Sequence, residues 1–198
     1  MKALYIAVVG LLLAVPAAAL PINVALGKPV TITGEVGVIT EIWPPAPVAG
    51  LATIGGGVLL AEGTPWQTGP VWGDERHPPS ANNVIEIDLL GTYLITDVLI
   101  QADNNDRYQI NYRNTLGVWV GYGFFDSGGS PGMLTRAGSA GSFVATAIQI
   151  DAFDGDLFYS VSEFQANGSP VPEPGTLLLL GTGISAAVAR RRTRRATA

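Results

Sequence analysis

The sequence predicts an all-β protein, an antiparallel sandwich held between two short apolar ends. Three observations predict it. Short segments of alternating polarity dominate from Val84 onward, clusters of turn-forming residues separate them, and no stretch of ten residues between them has a helical period. The chain has 198 residues, 25 glycines, 14 prolines and no cysteine. Thiol catalysis and cysteine-based zinc sites are therefore excluded, and the core must hold without disulfides.

Residues 1–19 read as a signal peptide. Met1 and Lys2 form a minimal basic start, residues 3–15 an apolar run, and Ala17 and Ala19 supply the small side chains a signal peptidase requires, with cleavage after Ala19. Residues 20–169 are the predicted domain. Its stretch 34–79 is rich in Gly and Pro and predicts long loops with few strands. Ile85, Ile87 and Leu89 alternate with Glu86 and Asp88, the period of a strand with one buried face. Residues 93–101 are rich in Ile, Val, Leu and Thr. Tyr108, Ile110 and Tyr112 alternate with Gln109, Asn111 and Arg113. Aromatic residues mark 118–125, Ile148 and Ile150 share one face of 143–151, and 158–165 closes the set. Turns are predicted at 103–106, 114–117, 126–130 and 154–156, where Asp, Asn, Gly and Ser gather.

The C-terminal 29 residues read as a sorting device. Val171, Pro172, Glu173 and Pro174 form an extended entrance, because proline removes backbone donors and biases its predecessor away from helix. Residues 175–189 are uncharged and apolar, covering roughly 22 Å as a helix against a hydrocarbon core of ~30 Å. Arg190, Arg191, Arg192, Arg194 and Arg195 then hold the end on the cytoplasmic side. With both ends removed, five basic residues face fifteen acidic ones, a formal charge of about −10. Such a domain is a poor partner for nucleic acid.

The tail, taken as Pro-Glu-Pro motif, apolar helix and arginine cluster in order, resembles the PEP-CTERM sorting domain. The resemblance implies transient anchoring in the inner membrane, recognition by an exosortase, and delivery to the cell surface or extracellular matrix of a bacterium that makes exopolysaccharide. The middle carries a second resemblance. Residues 23–31 (Asn-Val-Ala-Leu-Gly-Lys-Pro-Val-Thr), 85–98 and 148–164 are similar to the opening, central and closing strands of discoidin, or factor 5/8 type C, domains. This implies an eight-stranded galactose-binding-like jelly roll. The chain departs from that family's pattern in offering Thr146 or Gln149 where an arginine is usual, and Glu62 where an aspartate is usual. Fold transfers across these departures; ligand does not.

The same resemblance implies a structural calcium between Glu62, Thr68 and Glu163, with solvated surface carboxylates as the alternative. Asp103-Asn104-Asn105-Asp106 would bind calcium or form a side-chain-capped turn, and the turn is favoured because the glycine and distal glutamate of a complete calcium loop are missing. Trp43 and Trp66 are the candidate sugar platforms, since an indole offers a large apolar face at low entropy cost. Trp72 is expected in the core, and all three indoles plugging the sandwich is the competing expectation. His77 stands beside Pro78 with no readable serine partner, and Glu86 with Asp88 shares a strand face without a cleft. The expected function is therefore non-catalytic: carbohydrate binding or adhesion in exopolysaccharide or biofilm. A matrix protein that binds no sugar is the first alternative, a polysaccharide-processing enzyme the second.

Overall fold

The computed structural model describes residues 20–34, 36–37, 48–74, 83–138, 140–172, 181–183 and 185. Nine strands are present among them: β1 Ile22–Asn23, β2 Val30–Thr33, β3 Val71–Asp74, β4 Val84–Asp103, β5 Arg107–Arg113, β6 Trp119–Phe125, β7 Met133–Gly138, β8 Phe143–Phe153 and β9 Phe158–Pro170. A 3₁₀ turn occupies Leu51–Gly55.

All strand pairs are antiparallel, and β4 belongs to both layers. Its first half pairs with β2 and β8, and β8 continues through β5 to the edge strand β6. Its second half pairs with β9 and β7, and β9 takes β1 and β3 on its other flank. Two stretches expected as separate strands, 85–89 and 93–98, are thus one strand with a bend between them. The bend falls at Leu90, whose φ of 56° lies in the left-handed region. Asp88 Oδ1 accepts the Leu90 N–H at 3.0 Å and braces the turn. The β4–β8 ladder is irregular at the same place, between Asp88 and Tyr93.

The layers close on the apolar sides that alternation assigns. Ile85, Ile87, Leu89, Ile110, Ile148 and Ile150 from one layer pack in the same cluster as Val98, Ile100, Val161, Phe164 and Ala166 from the other. The buried Tyr108 hydroxyl spans the gap, donating to Ser160 O at 3.0 Å and accepting from Ser160 N at 3.1 Å. Such a bond matters because a buried hydroxyl without a partner costs about 1–3 kcal/mol.

Strand β7 is a correction to the expected layout, which left 133–138 as connection. Met133 to Gly138 shows no apolar alternation, yet it completes the edge beside β4. Strand β9 likewise runs to Pro170, and Val171 N donates to Thr92 O at 2.9 Å. The fold therefore ends on the doorstep of the Pro-Glu-Pro segment.

Candidate carbohydrate-binding site

Three indoles were expected as platform or plug, and the structure places two of them. Trp72 lies on β3 and is fully buried. Trp66 is half-buried, its ring 4.9 Å from that of Phe158 and edge-on to Trp72 at 5.4 Å. Each stacking orients the Trp66 ring. Trp72 also lines a narrow, mainly apolar crevice between the layers, with Val71, Ile85, Tyr108, Ile150 and Tyr159. Trp43, His77, Ala17, Ala19, Glu173, Pro174 and Arg190, Arg191, Arg192, Arg194 and Arg195 lie outside the described residues. So does most of the expected membrane helix at 175–189, of which residues 181–183 and 185 are helical. Among the described residues no helix is long and apolar enough to cross a membrane. Val171 is half-buried and Pro172 exposed.

Glu62 and Glu163 are brought to one loop, on either side of Gln101. The buried Gln101 amide donates to Leu60 O at 2.9 Å, Thr135 Oγ1 at 3.0 Å and Glu62 Oε1 at 3.3 Å. Its Oε1 accepts from Leu60 N at 2.7 Å and Ser162 Oγ at 2.6 Å. Both carboxylates are turned onto protein donors. Glu62 accepts from the Thr135 N–H and hydroxyl, which lower its pKa. Glu163, with no exposed surface, accepts the N–H groups of Gly57 at 2.9 Å and Val58 at 3.3 Å, and burial raises its pKa. Thr68 N donates to Pro65 O, closing a turn of its own. Glu62 and Glu163 each accept several protein hydrogen bonds, so a calcium ion there would share their oxygens with N–H and O–H donors.

The 103–106 segment is a side-chain-capped turn. Asp103 Oδ1 accepts the N–H groups of Asn104 at 2.8 Å and Gly132 at 2.7 Å, Asn104 Oδ1 that of Gly128 at 2.9 Å, and Asp106 Oδ1 that of Asp156 at 3.2 Å. Arg136 clamps the same corner by donating to the carbonyls of Asp103, Asp106 and Asp126. Burial pushes Asp103 up to about 6 and Asp106 to about 8, the latter helped by its acidic neighbours Asp156 and Asp103. Among the described residues no three His, Asp or Glu side chains gather to hold a metal.

Other expected polar positions have structural partners. Glu86 pairs with Arg113 at 3.5 Å, and Asp88 braces the bend. Of the two residues offered at the family's arginine position, Gln149 accepts from Asn111 Nδ2 at 3.1 Å and Thr146 Oγ1 accepts from Arg113 Nε at 3.3 Å. The sequence reading passed over Trp119 and Phe124, which stand on the outer side of β6. Their signal was the polar phase of β5, whose outward residues mark the same face.

With the geometry in hand, comparison with known proteins assigns both parts of the chain. Residues 170–195 match the family described as the PEP-CTERM protein-sorting motif. The tail is a PEP-CTERM sorting motif. No curated protein matches the chain. Among solved structures, the family 32 carbohydrate-binding module of C. perfringens NanJ, in complex with galactose, superposes with a TM-score of 0.50 at 16% identity, over 75% of this chain and 98% of that one. A Streptococcus pneumoniae fucose-binding module superposes with a TM-score of 0.50 at 14% identity, over 73% and 96%. The PEP-CTERM tail thus follows a sandwich of the galactose-binding-like fold, the architecture that the strand pattern and the discoidin resemblance predicted.

Proposed function

We propose that the chain is an exported, non-catalytic carbohydrate-binding protein, sorted through its tail by an exosortase and retained at the cell surface or in the extracellular polysaccharide. The observation that carries this is the pairing of a PEP-CTERM motif with a sandwich of the fold that sugar-binding modules use. Fold is a platform for many functions, so the ligand rests on this chain's own residues. Trp66 supports a sugar contact because its ring is oriented by Phe158 and Trp72 yet half-exposed. Trp43 is proposed as a further sugar platform from sequence alone. Signal peptidase acts first, at Ala17 to Ala19, and the exosortase last, near Pro172 to Pro174.

A structural calcium among Glu62, Thr68 and Glu163 is part of this reading, taken up on carboxylate lone pairs that the present donors leave open. An ion that binds the folded state and not the unfolded one stabilises by mass action. Thermal melting of the full chain with calcium and with chelator tests this. Equal melting temperatures remove calcium from the account.

The test of the function is saturable binding of the full chain to exopolysaccharide from the producing cells. Trp66→Ala is expected to weaken it about tenfold, the scale of one well-packed aromatic anchor. Absence of binding to any such polymer returns the chain to a purely structural matrix role. Release of reducing ends on long incubation would instead make it an enzyme.

A further inference from the structure

The outer face of the layer formed by β6, β5, β8 and the first half of β4 carries a second built surface. On β5, Tyr108 and Ile110 point into the core, while Arg107, Gln109, Asn111 and Arg113 stand on the opposite face. The ladders set Asn111 beside Gly121 and Gln149, and Gln109 beside Phe124 and Asp151. Side-chain bonds tie the polar positions together. Gln109 Nε2 donates to Asn111 Oδ1 at 3.0 Å, and Asn111 Nδ2 donates to Gln149 Oε1 at 3.1 Å. A primary amide has two N–H donors and a carbonyl with two lone pairs, so an amide row keeps both kinds of group available outward while its members hold one another in place.

Aromatic rings close both ends of this row. Trp119 sits with the Arg113 guanidinium 5.7 Å from its ring. Phe124, 57% exposed, packs edge-on to Phe153 at 5.3 Å, and Arg107 lies over it at 5.7 Å. Between the rings β6 offers Gly121. A Cβ there would stand 3.7 Å from both Asn111 Oδ1 and Gln109 Nε2, so the glycine leaves the amides uncovered. Trp119 and Phe124 are five positions apart along a strand that rises ~3.3 Å per residue, interrupted by one bulge, or about 15 Å. That length exceeds one sugar ring.

Charge decides the class of ligand. Arg107 is paired with Asp126 at 2.8 Å and Asp154 at 3.5 Å, and Arg113 with Glu86 at 3.5 Å. What remains for a partner among the described residues is rings, amides and the carboxyl groups of Asp88 and Asp151. This complements an uncharged, hydroxyl-rich chain. An anionic polymer would meet no unpaired guanidinium on this face, and an apolar protein surface would bury the amides without partners.

We propose that an extended segment of a neutral polysaccharide lies along β6, with sugar faces on Trp119 and Phe124 and hydroxyls taken by Gln109, Asn111 and Gln149. The proposal rests on the carbohydrate-binding reading above and adds a second contact surface that measures chain length. Calorimetric titration of the full chain in detergent tests it, with cello-, laminari- and galacto-oligosaccharides of six units and with the matching monosaccharides. The hexasaccharide of the binding series is expected to bind at least tenfold more tightly than its monosaccharide. Trp119→Ala, Phe124→Ala and Gly121→Val each remove that advantage while leaving monosaccharide affinity and melting temperature unchanged; Gly121→Val removes no contact and only fills the trough. Trp66→Ala weakens the monosaccharide instead. Hexasaccharide affinity equal in wild type and all three β6 variants overturns the platform and leaves sugar binding at Trp66 standing. A wild-type chain that binds none of the probes overturns both.

Discussion

Leu90 shows how a single residue sets the path of the chain. An L-residue in the left-handed region costs roughly 1–2 kcal/mol, because its Cβ crowds the following carbonyl. Here that conformation turns β4 from one layer into the other, with the Asp88 carboxylate bracing it. The Leu90 side chain is 65% exposed, so little packing opposes its replacement. Leu90→Gly is expected to stabilise the protein by about 0.5–1 kcal/mol, measured as a higher urea midpoint at unchanged slope. A lower midpoint would show that the leucine's contacts outweigh its strain. The sequence hid this residue because Leu-Leu-Gly reads as a break between two strands, and only packing reveals that the ladder continues through it. Trp72 was legible, its place in the core matching full burial, whereas Trp119 lacked any local mark separating a surface indole from a core one.

Among the elements, the long segment between β2 and β3 is the part that sequence left least defined, and one amide organises it. Gln101 on β4 receives and gives bonds to Leu60, Glu62, Thr135 and Ser162, so this side chain fastens the loop to the second layer beside the backbone bonds of Gly63 and Thr64 with Met133. Gln101→Ala leaves the Leu60 N–H short of an acceptor, at about 1–3 kcal/mol, while the Ser162 hydroxyl keeps the residue's backbone carbonyl at 3.1 Å. The expected result is a lower melting temperature, with proteolytic nicking first appearing within residues 56–64. An unchanged cleavage pattern would deny the amide this role. Alternation made the central strands legible, because one-faced burial imposes a period of two. Strand β7 was invisible for the converse reason. Its residues Leu134, Thr135, Arg136 and Ala137 are placed by pairing with β4 and by polar contacts to Glu62 and Asp106, and such long-range causes leave no local period.

For the whole molecule, the acidic balance has a consequence concentrated in the corner at Asp103 and Asp106. Their folded pKa values, about 6 and about 8, stand above the ordinary 3.8 because burial disfavours the charged forms. Between those limits the folded state holds protons that the unfolded state has released. Stability therefore falls as pH rises from about 4 toward 8. Glu62 works in the other direction, since its lowered pKa contributes stability that is lost as pH falls below the ordinary 4.5. The melting temperature is expected to be higher at pH 5 than at pH 8, with Asp106→Asn flattening the difference; for a chain this long each kcal/mol moves it ~2–4 °C. A melting temperature that rises from pH 5 to pH 8 would refute the buried-carboxyl explanation.

At this same scale the tail was the most legible part, since proline chemistry, apolar length and arginine placement are each local and act without tertiary contacts. The proposed sugar platform was the least legible, being assembled across β6, β5 and β8 from residues 107 to 153. The central claim is that this exported sandwich holds carbohydrate. Its most direct test is isothermal titration of the full chain with purified exopolysaccharide from the producing cells: a saturable isotherm is predicted, and a flat one, with the protein folded and the polymer intact, would contradict it.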